Sequence, residues 1–117
     1  MIEEAIDVIL KNDRGGFTIP TGRLYPYQWN WDSGFTALGI SLFDKERAWK
    51  ELNMLIDSQW EDGMIPHIIF HHNDPDYFPG PKEWTIDGLS KTSCHSQPPV
   101  LASVIWTMVQ RGTEFDK

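Results

Sequence analysis

The sequence predicts an all-α chain of packed helical hairpins, interrupted by one long irregular loop that carries a short extended segment. Three observations predict it. Apolar residues recur at three- and four-residue spacing in four separate stretches, as in helices that bury one face. The second and third stretches are joined by almost no linker, so they must fold back as an antiparallel pair. The one run with strand character, residues 64–70, is short and lies inside a connection rich in proline.

Ile2, Ala5, Ile6 and Ile9 mark the first helix, which Asn12-Asp13 and Gly15-Gly16 stop. A connection containing Pro20, Gly22 and Pro26 follows. Asp32 and Ser33 suit the cap of the second helix, where a side-chain oxygen accepts from a free N–H of the first turn. That helix carries Phe35, Leu38 and Leu42 on one stripe, among the small residues Gly34, Ala37, Gly39 and Ser41. Each glycine costs a helix about 1 kcal/mol against alanine, so this composition points to a closely packed inner helix. Asp44 opens the third helix. Ala48, Trp49, Leu52, Leu55 and Ile56 form its apolar face, with Glu46 and Glu51 expected on the polar side.

Gln59-Trp60-Glu61-Asp62-Gly63 ends that helix and begins the long loop, which reaches Ser96. Loops beyond about 12–15 residues are usually functional or disordered. This one carries His67, His71, His72, Tyr77, Phe78 and Trp84, too many rings for disorder. Ser96-Gln97-Pro98-Pro99 reads as the start of the fourth helix, with prolines where a missing N–H costs nothing. Val100, Leu101, Val104, Ile105, Met108 and Val109 supply its stripe. Nothing follows to pair with it. The pattern is that of helical hairpins taken from a larger array.

Composition narrows the function. A length of 117 residues fits one domain or part of a larger one. The net charge of -7 argues against nucleic acid, whose phosphates call for basic surface, and against anionic membranes. A small polar ligand is the more natural partner. The lone Cys94 excludes an intrachain disulfide, and no apolar run reaches the roughly 18 residues of a membrane span. Met1-Ile2-Glu3-Glu4 places acids where a signal peptide has a basic region, so the cytoplasm is expected. No cofactor is called for.

One stretch concentrates chemistry: Tyr25-Pro26-Tyr27-Gln28-Trp29-Asn30-Trp31-Asp32-Ser33. A core segment has no use for so many polar groups, since each buried one must find a partner. Flat rings beside amides and a carboxylate suit a sugar, whose C–H faces stack on rings and whose hydroxyls take directed bonds. The bland alternative is an aromatic plug at a helix entrance, with Asp32 or Ser33 merely capping. Both roles fit one residue at the mouth of a helix.

That motif, with Trp60-Glu61-Asp62-Gly63-Met64-Ile65-Pro66-His67, Tyr77-Phe78-Pro79-Gly80-Pro81 and Ser96-Gln97-Pro98-Pro99, resembles the mannosylglycerate and glucosylglycerate hydrolases of glycoside hydrolase family 63. The resemblance runs over about residues 12–110. It implies that residues 1–117 are the N-terminal, incomplete portion of an (α/α)6 toroid of helical hairpins. It implies sugar contacts for Asp32, Trp29, Trp31 and Tyr25, a contact to the glycerate carboxylate for Tyr77, and a pocket-facing amide for Gln97. His67 joins this set through its motif. The implied activity is inverting hydrolysis of a small glycoside such as glucosylglycerate or mannosylglycerate. Such enzymes use two carboxylates about 6.5–9.5 Å apart, and the family's acid and base fall in later motifs. No catalytic residue is therefore assigned here, and the chain by itself is expected to be inactive, with the remainder of the toroid as its partner.

Two rival readings stand beside this one. His67, His71, Cys94 and His95 invite a zinc site, but an extended segment spoils i, i+4 geometry and no CxxC or HExxH spacing occurs, so no metal is assigned. A non-catalytic carbohydrate-binding or interaction module would use the same rings. The choice between glucose and mannose rests on the orientation of one hydroxyl and stays open at this level.

Overall fold

Glycines and alanines on one helix decide how this chain is arranged. In a computed structural model, which describes residues 2–88 and 90–112, the elements are α1 (Ile2–Asn12), β1 (Gln28–Trp29), α2 (Asn30–Ile40), α3 (Lys45–Asp57), β2 (Ile68–Ile69), α4 (Pro81–Trp84) and α5 (Leu101–Gln110). α2 lies in the middle, packed by α3 on one side and α5 on another. Its buried residues are Asn30, Ser33, Gly34, Ala37 and Ile40. A Cβ on Gly34 would stand 3.2 Å from side-chain carbons of both Val100 and Leu101, so the missing side chain is what lets α5 approach. Phe35 and Leu42, expected on the buried stripe, are instead exposed. Ser33, Gly34 and Ala37 form the inner face together with Ile40, while Phe35 and Leu42 point away.

Residues 41–44 turn the chain back into α3, whose start is fixed by the Asp44 carboxylate accepting from the Arg47 N–H at 2.9 Å. Ala48, Leu52 and Leu55 join Ala37, Ile40, Ile69, Leu101, Val104 and Met108 in the main core. Glu51, expected on the polar side, is completely buried. It lies one helical turn from Ala48 and Leu55, on the same inward face. α1 is the loosest element: none of its residues is buried, and only Ile9 packs against the core.

The all-α expectation needs one correction. β1 and β2 form an antiparallel ladder with Gln28 opposite Ile69 and Trp29 opposite Ile68. The apolar side chains of Tyr27, Trp29, Ile68 and Phe70 form a second core there, closed by Tyr77 and Trp84. On its other side the extended loop bonds residues 91–95, through the Phe70 N–H to Lys91 (2.8 Å) and the His67 N–H to His95 (2.7 Å). These bonds satisfy a buried backbone that has no helix to do so.

Helix boundaries also differ. α2 begins at Asn30 behind Trp29, so Asp32 and Ser33 sit within its first turns, and no side chain caps it. α5 begins at Leu101, after both prolines, and Ser96 donates its hydroxyl to the Ile65 carbonyl at 2.7 Å instead of capping. None of the described helices is long and apolar enough to cross a membrane.

Candidate functional site

The site is built where β1 runs straight into α2. Strand alternation sends Gln28 and Trp29 to opposite sides. The Gln28 amide turns inward and donates to the Glu51 carbonyl at 3.1 Å, while Trp29 faces a hollow beside the helix. Asn30 then anchors the first turn: its N–H donates to His67 at 3.0 Å, and its side-chain amide reaches the Pro66 carbonyl at 3.2 Å. The helix therefore starts at a fixed point on the long loop.

The hollow measures about 440 Å³ and is lined by Pro20, Thr21, Tyr25, Trp29, Trp31, Asp32 and Gln97. That volume falls in the roughly 300–1,000 Å³ range of small-ligand pockets. Tyr25 meets Trp29 edge to face with centroids 5.2 Å apart. Tyr25 and Trp31 are 45% and 42% exposed, which leaves ring surface free to stack. Gln97 accepts from the Trp31 N–H at 3.1 Å, binding the end of the long loop to a free donor of the first helical turn. Burial raises the Asp32 carboxyl above its ordinary pKa, against the opposing effect of hydrogen bonds from its own N–H and from Trp31. A partly desolvated carboxylate makes stronger bonds to incoming hydroxyls than one in water.

Five of the seven expected site residues thus share one wall: Tyr25, Trp29, Trp31, Asp32 and Gln97. Tyr77 lies behind it, 5.9 Å from Trp29 and 5.4 Å from Tyr27, in the ring cluster rather than on the hollow. Its hydroxyl pKa is raised by burial and by the neighbouring Tyr25 and Tyr27. His67 stands apart. Its ring packs edge-on against Trp84 at 4.8 Å, and burial holds it below its ordinary pKa. Only its carbonyl acts toward the site, by accepting from Asn30.

His71, considered as a metal ligand, stacks on Phe17 at 3.7 Å and bonds the Gln28 side-chain oxygen at 2.8 Å. Among the described residues no three His, Cys, Asp or Glu side chains gather as a metal site would require. A larger hollow of about 890 Å³ runs along α3 between Lys45 and Asp57. It mixes Lys45, Glu46, Lys50, Asn53 and Asp57 around the single ring of Trp49, without the paired rings of the smaller one. The chemistry favours the smaller.

Sequence reasoning missed Pro20 and Thr21 on the wall, because a connection gives no sign of which side it faces. It also missed Glu51, for which a signal existed. Position 51 falls between 48 and 55 on the apolar face.

Residues 25–116 match the family model of the mannosylglycerate hydrolase MGH1-like glycoside hydrolase domain. The chain is 45% identical to mannosylglycerate hydrolase MGH1 of Selaginella moellendorffii, over 97% of this chain and 23% of that protein. It is 40% identical to the glucosylglycerate hydrolase of Mycolicibacterium hassiacum, over 86% of this chain and 24% of that protein. The crystal structure of the GH63 mannosylglycerate hydrolase from Thermus thermophilus, in complex with Tris and D-glycerate, superposes with a TM-score of 0.84 at 50% identity. That match covers 92% of this chain and 26% of the other. The chain thus spans about a quarter of the length of the relatives it matches. With the family model covering most of its length and the fold agreeing, the chain belongs to the mannosylglycerate hydrolase MGH1-like glycoside hydrolase family.

Proposed function

We propose that this chain is the substrate-binding N-terminal portion of an inverting hydrolase that acts on glucosylglycerate, mannosylglycerate or a similarly small glycoside. The observation that carries the reading is the convergence of Tyr25, Trp29, Trp31, Asp32 and Gln97 on one hollow. In this reading the rings stack on the sugar, Asp32 accepts from its hydroxyls, and Gln97 fixes the helix start beside them. Tyr77, whose ring lies behind Trp29 and not on the hollow, is assigned the glycerate carboxylate on the family resemblance, and His67 supports the wall from behind. The (α/α)6 toroid belongs to the proposal, with the rest of the protein as partner. It is supported by exposed apolar side chains at Phe35, Leu42 and Trp106, which suit further hairpins. The cytoplasm is part of the same reading.

Among the described residues Asp32 is the one carboxylate lining the hollow, and inversion takes two at about 6.5–9.5 Å. The acid and base are accordingly assigned to the remainder of the protein. The same observation favours, as second reading, a module that binds sugar without cleaving it. Incubating the full-length protein with mannosylglycerate and with glucosylglycerate separates the two. Sugar release from either, lost on Asp32→Ala, is the expected result. Binding without release supports the second reading. Release by the 117-residue chain alone would sink the assignment of acid and base elsewhere.

A further inference from the structure

We propose that Glu51 is a positioning residue for the sugar site, holding three segments of its wall at once from inside α3. The proposal rests on reading the hollow of Trp29, Trp31 and Asp32 as that site. The Glu51 side chain is completely buried, and the donors around it come from distant parts of the sequence. The Thr18 N–H and hydroxyl reach its two oxygens at 3.0 and 2.9 Å. The Ser33 hydroxyl donates a short bond to the first oxygen. The Gln28 amide approaches the same oxygen at 3.4 Å and the Glu51 carbonyl at 3.1 Å. Arg47, one turn earlier on α3, supplies the counter-charge at 2.9 Å and ties the group onward to Asp13.

The position of these donors matters more than their number. Thr18 lies two residues before Pro20, Gln28 immediately before Trp29, and Ser33 immediately after Asp32. Pro20, Trp29 and Asp32 all line the hollow. The carboxylate touches none of the lining side chains through these bonds; it holds their neighbours in sequence, Thr18 by its backbone N–H and hydroxyl and Gln28 and Ser33 by their side chains. An apolar residue of equal size would fill the space and leave the buried Thr18 and Ser33 donors without their acceptor, a heavy cost, while Gln28 would keep only the Glu51 carbonyl and Arg47 only Asp13 and Thr18. The arrangement specifies where three segments meet, which packing alone leaves free to slide.

Glu51→Gln tests this in the full-length protein that carries this chain. The amide keeps the volume but presents an N–H₂ where donors converge, so one segment must move. The indole N–H resonances of Trp29 and Trp31 are expected to shift in a ¹⁵N-labelled sample, while Trp60 and Trp106 stay in place. KM for the glycoside is expected to rise about ten-fold or more at a temperature where circular dichroism shows the fold intact. A residue that only stabilises the fold would lower the apparent kcat in proportion to the folded fraction and leave KM alone. That outcome, or unmoved Trp29 and Trp31 resonances, overturns the proposal. Should Glu51→Gln fail to fold, Ser33→Ala removes a single donor; a KM rise of about three-fold with a shifted Trp31 resonance is expected, and no change in either overturns it. The resonances need no substrate. A wild-type protein that hydrolyses no glycerate glycoside refutes the hydrolase reading while leaving the positioning of these rings to be judged.

Discussion

Asp32 sits in the first turn of α2, where its carboxylate accepts from its own N–H, and it faces a hollow walled by rings. Replacing its carboxylate with an amide of the same shape removes an acceptor for sugar hydroxyls. Asp32→Asn is therefore expected to lower kcat/KM of the full-length protein by about 10- to 150-fold, since hydrogen bonds to charged groups contribute about 1.5–3 kcal/mol each. A steady-state assay at matched folded concentration checks it. His71 makes a prediction of another kind. Burial, with a smaller effect of His72, pushes its pKa down to about 4 from 6.5. Between these values the unfolded chain binds a proton that the folded chain refuses, so stability falls as the pH drops from 6.5 toward 4 and is independent of this group above that window. The urea midpoint should be lower at pH 5 than at pH 7. His71→Phe keeps the stack on Phe17 and should flatten part of that slope, with His67 contributing the rest in the same direction. At this scale the concentration of rings and polar groups in residues 25–33 was legible, but its division was not: Gln28, Asn30 and Ser33 use their polar groups in buried structural bonds, while Tyr25, Trp29, Trp31 and Asp32 line the hollow. Nor was His67 legible, since a histidine in a loop carries no mark of the side on which its ring will lie.

Among elements, α2 shows how packing inverts a simple stripe. Gly34 meets Val100 and Leu101, so a branched side chain there forces α5 away. Gly34→Val is expected to destabilise by about 1–3 kcal/mol, the usual cost of overfilling a packed interface. Gly34→Ala should change stability far less, because the gain of about 1 kcal/mol in helix propensity opposes the crowding. Denaturant titration of both variants separates the two effects. The start of α3 offers a cleaner case, in which Asp44→Ala should cost about 1 kcal/mol through loss of a cap. That helix was readable from the cap and the spacing of Ala48, Leu52 and Leu55. The ladder was not: a strand of two residues is too short for alternation to register, and it exists only because Tyr27, Trp29, Ile68 and Phe70 bury one another. The starts of α2 and α5 shifted for a related reason. Asn30 and Ser96 found partners on the long loop, a tertiary choice that local cap preferences do not contain.

For the molecule as a whole, the surface is more telling than the core. Ile2, Leu42, Ile86 and Trp106 are each at least two-thirds exposed, and Phe35 and Val8 more than half. Large apolar surface of this kind marks contact regions or a tendency to aggregate. The 117-residue chain expressed alone is expected to self-associate in size-exclusion chromatography and to bind a hydrophobic dye. The full-length protein should do neither; equal behaviour of the two would argue that these side chains are not covered by the rest of it. The mostly helical character of the chain could be read from the spacing of apolar residues and one short linker, although on α2 the buried stripe was not the one expected.

The two-residue strand β1 sets a parity on the chain around it. Gln28 addresses Glu51 and Trp29 addresses the hollow, so neighbours in sequence do opposite work. One residue inserted between Tyr25 and Gln28, with the ladder register shifted to match, would turn the ring inward and the amide outward. Two inserted residues would restore the directions but lengthen the approach from Thr21. The spacing of this segment is thus constrained as odd or even before any question of which residues fill it, and indels here should be tolerated less well than most single substitutions.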